Sequence, residues 1–145
     1  AELPLRAPPQ SATLATAPAL ASFEERIALL DYRITRASAA AGDALSLSLT
    51  WRAEQTMDTD YTIFAHLLDA QERIIAQTDA QPLGGRYPTH VWLPGEIIQD
   101  ELVIALPPAL AQEKYRIRLG LYRLADGRRL AVAGRASDFI LLDTP

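Results

Sequence analysis

Side chains suited to binding chemistry are concentrated in one segment, DAQPLGGRYPTHVWLPGEIIQD, which runs from Asp79 to Asp100. Its glycines and prolines predict a long loop between two strands, and such loops often carry a domain's binding residues. Aromatic rings can stack on the apolar C–H faces of a sugar while planar polar side chains bond its hydroxyl groups. This chemistry predicts the following ligand-binding candidates: Asp79, Gln81, Arg86, Tyr87, His90, Trp92 and Glu96.

The same residues also suit a purely structural role. Trp92 precedes a proline–glycine turn, and its ring can plug the open end of the fold with Tyr87 covering it. Asp79 and Asp100 can serve as buried acceptors for the loop's own backbone amides. The sequence leaves both roles open.

No catalytic or metal-binding motif is present in the chain. His66 shares a strand face with Phe64 and Leu68 in FAHLLD, which favours a hydrogen-bonded core or sheet-surface histidine, and His90 lacks nearby ligating partners. There is no GxSxG elbow and no EF-hand spacing. We therefore predict no catalytic residue, metal or cofactor. Carboxylates that could still serve a hydrolase, without a favoured pair, are Asp79, Glu96, Asp100 and Glu101.

A second candidate surface lies on a predicted strand near the C-terminus. Arg116, Arg118 and Tyr122 alternate in YRIRLGLYR and project from one face, with Arg128 and Arg129 on the segment that follows. Such a face suits an anionic glycan or a lipid phosphate. It is also what a solvated sheet face with ordinary ion pairs looks like.

Length and composition predict a single folded domain. The chain has 145 residues, 49% of them hydrophobic and 22% charged, and it contains no cysteine. Its formal net charge of −4 and scattered arginines argue against nucleic acid as a partner. Residues 1–22 are rich in proline and alanine and predict a linker, in which Leu3 to Arg6 can lie along a sheet edge. Residues 23–145 form the predicted domain.

Alternating apolar and polar residues predict an all-β fold. In the segment from Ala44 to Arg52, leucines and Trp51 alternate with polar residues, a period of two that buries one face. A possible short turn near Phe23 to Arg26 is the one helix-like feature. We predict an antiparallel two-sheet β-sandwich of about eight strands, jelly-roll or immunoglobulin-like. The predicted strands and the second hairpin are Ile27 to Thr35, Ala44 to Arg52, Asp60 to Asp69, Arg73 to Asp79, Ile98 to Leu106, Lys114 to Leu124, a hairpin over Leu124 to Arg129, and Ala136 to Leu142.

Three stretches carry a resemblance to a known family: LSLTWRA, DYTIFAHLLDAQERIIAQTDAQPLGGRYPTHVWLPGE and YRIRLGLYRLADGRRLAV. They resemble the C-terminal, extracytoplasmic β-sandwich domain of bacterial multi-spanning membrane glycosyltransferases of the dolichyl-phosphate-mannose-dependent type. The resemblance covers Ile27 to Val132. It implies an accessory module without the catalytic carboxylates, which belong to the membrane part in that family, and a proline-rich tether from the last membrane helix.

The sequence thus favours a non-catalytic extracytoplasmic domain, membrane-tethered or secreted, that recognises carbohydrate or a polyprenyl-linked sugar beside an attached membrane domain. One alternative is a purely structural or protein-interaction sandwich without a small-molecule ligand. Another is a glycoside hydrolase that uses loop carboxylates. Strand order, oligomeric state and the identity of a ligand do not follow from one sequence.

Overall fold

The described residues form two antiparallel four-stranded sheets, which confirms the predicted all-β sandwich. A computed structural model describes residues 14–39, 42–107 and 115–144. The predicted edge segment from Leu3 to Arg6 lies outside these residues, as does Lys114, the predicted start of a strand. The strands, in chain order, are β1 (Ala21–Phe23), β2 (Ile27–Ala39), β3 (Gly42–Ala53), β4 (Tyr61–Leu68), β5 (Ile74–Ala80), β6 (Ile97–Ala105), β7 (Arg116–Arg123) and β8 (Ile140–Asp143).

Strand order sets which side chains can meet. The first sheet runs β1-β2-β3-β6 and the second runs β5-β4-β7-β8, with every described pairing antiparallel. β4 and β7 are therefore neighbours although some fifty residues separate them in the chain. Local sequence patterns do not reveal which strands pair when so many residues separate them in the chain.

The core lies between the two sheets and follows the predicted alternation. On β3 the inward side chains Leu45, Leu47, Leu49 and Trp51 are all buried, as predicted from their period of two. The inward residues of β7 and the residue before it are buried against them: Tyr115, Ile117, Leu119 and Leu121. The hydrophobic effect thus holds the two layers together along their full length.

The segment that enters the domain is bound to the outside of the first sheet. Arg52 on β3 is buried although it was predicted to face solvent, and its Nη1 donates to the carbonyl oxygens of Leu14 and Ala17 at 3.0 and 2.6 Å. Its Nε and Nη2 bond the Glu54 carboxylate. Leu14 packs on a small apolar cluster of Ala28, Leu30 and Ile97. Hydrogen bonds from all three guanidinium nitrogens explain how an arginine can be buried here.

Two elements differ from the predicted ones. β1 was not predicted, and it pairs with β2 through a turn in which Glu24 and Glu25 adopt left-handed φ values of 52° and 55°. This turn occupies the place where Phe23 to Arg26 suggested a possible short turn. After β7 the chain turns back, makes two isolated bridges, Tyr122 with Arg129 and Val132 with Phe23, and then runs without regular pairing to β8. β8 therefore begins at Ile140, four residues later than the predicted Ala136.

Candidate functional site

The predicted loop is present between β5 and β6, at residues 81–96, and contains two short 3-10 turns. Gly84 and Gly85 have φ values of 64° and 90°, a backbone region that glycine enters without steric cost. Leu83 also has a left-handed φ, of 53°, which a leucine adopts only where its surroundings hold it. The holding contact is a hydrogen bond of 3.0 Å from the Leu83 backbone amide to Asp100 Oδ1.

Trp92 lies inside the sandwich. Its side chain is 1% exposed and belongs to the main core, and its indole Nε1 donates to the Tyr87 carbonyl oxygen at 2.9 Å. The ring thus fills the end of the fold, as the structural alternative for Trp92 expected. In this conformation it offers no face on which a sugar can stack.

The loop's other candidates bond mainly to nearby residues. The Tyr87 hydroxyl donates to the Glu96 carboxylate, which also accepts the Leu93 amide at 2.9 Å. His90 Nδ1 lies 2.7 Å from an Asp60 carboxylate oxygen. These bonds turn the polar groups of the loop toward the protein. The Arg86 Nε similarly donates to the Leu83 carbonyl oxygen.

Asp100 is a buried acceptor for backbone amides, as the structural alternative proposed. Its Oδ1 accepts the amides of Leu83 and Glu101 at 3.0 and 2.8 Å, while its Oδ2 has no partner among the described residues. Burial raises the pKa of Asp100 because the charged form loses hydration, and the two amides oppose that rise only in part. The Asp100 carboxyl group thus holds the loop backbone at Leu83 against β6.

The four hydrolase candidates do not converge. Asp100 faces the interior, and Glu101, next to it on β6, points to the outer side of the first sheet and accepts the Ser46 hydroxyl. Glu96 is bonded within the loop. Asp79 lies on β5, in register with Phe64 of β4, on the outer side of the second sheet. The predicted pairing of Asp79 with loop aromatics is therefore not formed.

Asp79 instead joins a group of side chains on the outer face of the second sheet, which we call the outer-face cluster. Strand register forms it in rows: Asp79, Phe64 and Gly120 stand in one row, and His66 and Arg118 in the next. Its side chains are Phe64, His66, Asp79, Arg118, Tyr122, Arg129 and Phe139.

Gly120 makes room for the centre of this cluster. A Cβ atom at this position would lie 2.4 Å from Phe64 Cζ, so any larger residue on β7 would displace the ring. Phe64 therefore lies flat across the neighbouring strand and is only 1% exposed. A glycine within a strand often marks such a close approach.

Aromatic rings and arginines cover one another around Phe64. The Arg129 guanidinium lies 4.3 Å from the centre of the Phe64 ring, and the Tyr122 ring stacks on Phe64 at 6.3 Å. The Arg118 guanidinium lies 5.1 Å from the centre of the Phe139 ring. Cation–π contacts of this kind hold a guanidinium in place without neutralising its charge.

Tyr122 presents a polar edge beside these rings. Its hydroxyl donates to Asp79 Oδ2 at 2.9 Å, and its side chain is half-buried. Burial and the Asp79 carboxylate both raise the pKa of Tyr122, so that the phenol stays protonated. The ring therefore offers a neutral hydroxyl next to a carboxylate.

Among the polar members of the cluster, His66 and Arg118 have side chains that make no hydrogen bond to the described residues. Nδ1 of His66 and Nε of Arg118 are buried and have no partner among the described residues. The sequence predicted a hydrogen-bonded histidine at position 66, but its side chain bonds no described residue, and the centre of the Phe64 ring lies 5.0 Å from that of its own ring. Burial lowers the pKa of His66, Asp79 acts to raise it, and Arg118 and Arg129 lower it further.

The predicted arginine face is only partly reproduced. Arg116 pairs with Glu72 at 3.3 Å and Arg128 pairs with Glu24 at 3.1 Å, so both bond away from the cluster, while Arg129 joins it. The sequence interpretation gave no binding role to three members of the cluster: Phe64, His66 and Phe139. Alternation within FAHLL places Phe64 and His66 on one face of β4, but the β4–β7 register is needed to set them beside β7, and the bridge to Tyr122 is needed to bring in Arg129.

Two comparisons with known proteins found no match. No family model matches the chain, and no curated protein sequence matches it. Within residues 14–39, 42–107 and 115–144, no three metal-ligating side chains are gathered into a group, and no helix has the length and apolarity needed to cross a membrane.

Proposed function

We propose that this domain is a non-catalytic module that binds carbohydrate on the outer-face cluster. The observation that carries the proposal is that one sheet face holds both a half-buried Tyr122 ring with its bonded Asp79 carboxylate and, four residues earlier on β7, Arg118, which has no hydrogen-bond partner among the described residues. A ring of this kind can stack on the C–H face of a sugar. The carboxylate and the guanidinium can bond its hydroxyl groups.

The rigidity of the face supports the same proposal. The rings stand on β4 and β7, neighbouring strands in the middle of a four-stranded sheet, and Phe64 is fixed by Gly120 below it. Side chains fixed in this way lose little conformational freedom when a ligand binds. Sites on strands are also positioned more accurately than sites on loops.

The cellular setting is proposed from the family resemblance alone. Stretches such as LSLTWRA and YRIRLGLYR resemble the extracytoplasmic domain of membrane glycosyltransferases. We propose that this module lies outside the cytoplasm, next to an attached membrane domain, and binds glycan or polyprenyl-linked sugar there.

A glycan array followed by calorimetry tests the proposal. We expect the wild-type domain to bind at least one class of oligosaccharide, and Tyr122→Ala to abolish the heat of binding while the domain stays folded. Arg86→Ala, at an exposed loop position, is the matched control and keeps full affinity. Loss of binding in Arg86→Ala with no change in Tyr122→Ala would move the site to the loop.

A protein-interaction domain is a second candidate, and one observation favours it. Val91 and Leu93, at the outer side of the loop of residues 81–96, are 41% and 66% exposed although both are large and apolar. Neighbouring apolar side chains on a rigid loop suit contact with another protein. A Leu93→Asp variant that loses a pulled-down partner, while Tyr122→Ala keeps it, would favour this candidate over sugar binding.

A further inference from the structure

We infer that His66 and Arg118 form a subsite for an oxyanion, a carboxylate or a phosphate, carried by the carbohydrate. This inference rests on the proposed function and names the chemical class of the ligand. It comes from two side chains that are cross-strand neighbours and make no hydrogen bond to any described residue.

The two side chains stand next to each other by strand register. His66 on β4 is the direct cross-strand partner of Arg118 on β7, and both point to the outer side of the sheet. Side chains opposite each other on antiparallel strands lie about 5 Å apart at Cβ, which is close enough to bond one small anion together. The pair therefore has the geometry of a two-residue subsite.

Each member has one edge that remains for a ligand. Nδ1 of the 9% exposed His66 and Nε of Arg118 are closed off from solvent, so His66 can meet a ligand only through Nε2. Arg118 is half-buried, packs on Phe139, and donates to none of the described residues. Its guanidinium end is thus free to bond a ligand oxygen.

The charges around the pair favour an anion over a cation. Arg116 and Arg129 are each paired with a carboxylate, of Glu72 and Asp138, whereas Arg118 has no ion pair in the described part of the chain. Asp79 is the carboxylate that acts on His66, and its Oδ2 already accepts the Tyr122 hydroxyl. Binding an oxyanion would give Arg118 its missing partner.

An oxyanion would also reverse the present electrostatics of His66. Burial and the two arginines, Arg118 and Arg129, now hold the pKa of His66 below its usual value against the opposing effect of Asp79. A bound anion neutralises the arginines and favours the imidazolium form, so the pKa of His66 must rise on binding. This gives a measurement that leaves His66 and Arg118 themselves unchanged.

The experiment is an NMR titration of the full chain of 145 residues with four probes: glucose, glucuronate, glucose 6-phosphate and inorganic phosphate. We expect one charged sugar to bind about tenfold or more tightly than glucose, as one charge-assisted hydrogen bond predicts. Arg118→Gln reduces that affinity to the level of glucose. Arg116→Gln, on the same strand and face but paired with Glu72, keeps it and is the matched control.

The imidazole resonances supply the second readout. Because the chain has two histidines, His90→Gln leaves His66 as the single signal to follow. We expect glucuronate or glucose 6-phosphate to raise the pKa of His66 and glucose to leave it unchanged. This result is independent of whether Arg118→Gln folds.

Three outcomes would overturn the inference, and they differ in whether they also overturn the proposed carbohydrate-binding function. Equal affinity for glucose and both charged sugars, with an unchanged His66 pKa, sinks the oxyanion subsite and leaves carbohydrate binding standing. If inorganic phosphate binds as tightly as glucose 6-phosphate, the sugar contributes nothing to affinity, and the proposed carbohydrate-binding function is wrong as well. The absence of any shift with all four probes overturns both.

Discussion

The loop of residues 81–96 and the outer-face cluster are both rich in aromatic and charged side chains, but their polar groups find partners differently. In the loop, Trp92 bonds the Tyr87 carbonyl, and the Tyr87 hydroxyl bonds Glu96. In the cluster, His66 and Arg118 keep donors or acceptors that no described residue meets. A ligand can therefore gain hydrogen bonds from these two side chains, whereas those of the loop already bond within the protein.

The comparison also separates a loop that closes the fold from a sheet that offers a surface. The loop has a left-handed Leu83 and a buried Asp100, features that hold its own backbone in place. The cluster stands on strands of the second sheet, and apart from the buried Phe64 and His66 its side chains are half-buried or exposed. Removing side chains from the loop should therefore cost stability, whereas removing the half-buried or exposed ones from the cluster should cost binding.

The largest expected effect is on the stability of the loop. Trp92→Ala removes a fully buried ring and leaves a cavity, and we expect a loss of about 3–5 kcal/mol in the free energy of unfolding. Urea unfolding followed by fluorescence or circular dichroism measures it. A loss below about 1 kcal/mol, accompanied by lost sugar affinity, would instead make Trp92 a ligand-binding residue.

A smaller loss of stability is expected where the Phe64 ring of the cluster lies over Gly120 of β7. Gly120→Ala places a Cβ against the Phe64 ring, and we expect it to destabilise the domain by about 1–3 kcal/mol. Phe64→Leu removes the clash, so the double variant should be more stable than the sum of the two single effects predicts. Strict additivity in thermal or urea unfolding would show that the ring does not lie over Gly120.

Variants at Asp100 test how much its hydrogen bonds to the backbone amides stabilise the loop. Asp100→Ala leaves two amides without an acceptor and should cost about 1–3 kcal/mol. Asp100→Asn retains an acceptor oxygen for the Leu83 and Glu101 amides and should cost less.

The pH dependence of Asp100 follows from its raised pKa. The folded carboxyl group binds its proton more tightly than the unfolded chain does, so its contribution to stability is present at acidic pH. That contribution falls as pH rises from about 4 towards neutrality. Asp100→Asn should remove this slope from urea unfolding measured across the range. An unchanged slope in the variant would assign the pH dependence to another group.

The smallest expected effects come from a matched pair of hydroxyl deletions. Tyr87→Phe and Tyr122→Phe each remove one hydroxyl that donates to a carboxylate, Glu96 in the loop and Asp79 in the cluster. We expect about 1 kcal/mol of destabilisation for the partly buried Tyr87 and less for Tyr122, whose bond is exposed. Affinity for sugar should change only in Tyr122→Phe. A loss of sugar affinity in Tyr87→Phe alone would place binding in the loop and not in the cluster.

The sandwich could be predicted because its signal is local. Leucines at 45, 47 and 49 alternate with polar residues, and such a period of two fits a strand with one buried face. The loop between β5 and β6 was predicted from its glycines and prolines in the same way. β1 was missed because three residues are too short for a periodic pattern.

The cluster could not be predicted because it depends on register between distant strands. Asp79 was predicted to end a strand and to act with the loop residues that follow it, and its register opposite Phe64 places it in the cluster instead. His66 and Arg118 meet for the same reason, across β4 and β7. Local patterns say which side of a strand a residue occupies, but not which residue stands opposite it.

Chemical-shift mapping of amide resonances during titration with glucuronate tests the central claim most directly. We predict that the shifted resonances belong to β4, β7 and the segment around Phe139, with the loop of residues 81–96 unchanged. Shifts confined to Tyr87, His90 and Glu96 would contradict the account and place the binding site in the loop.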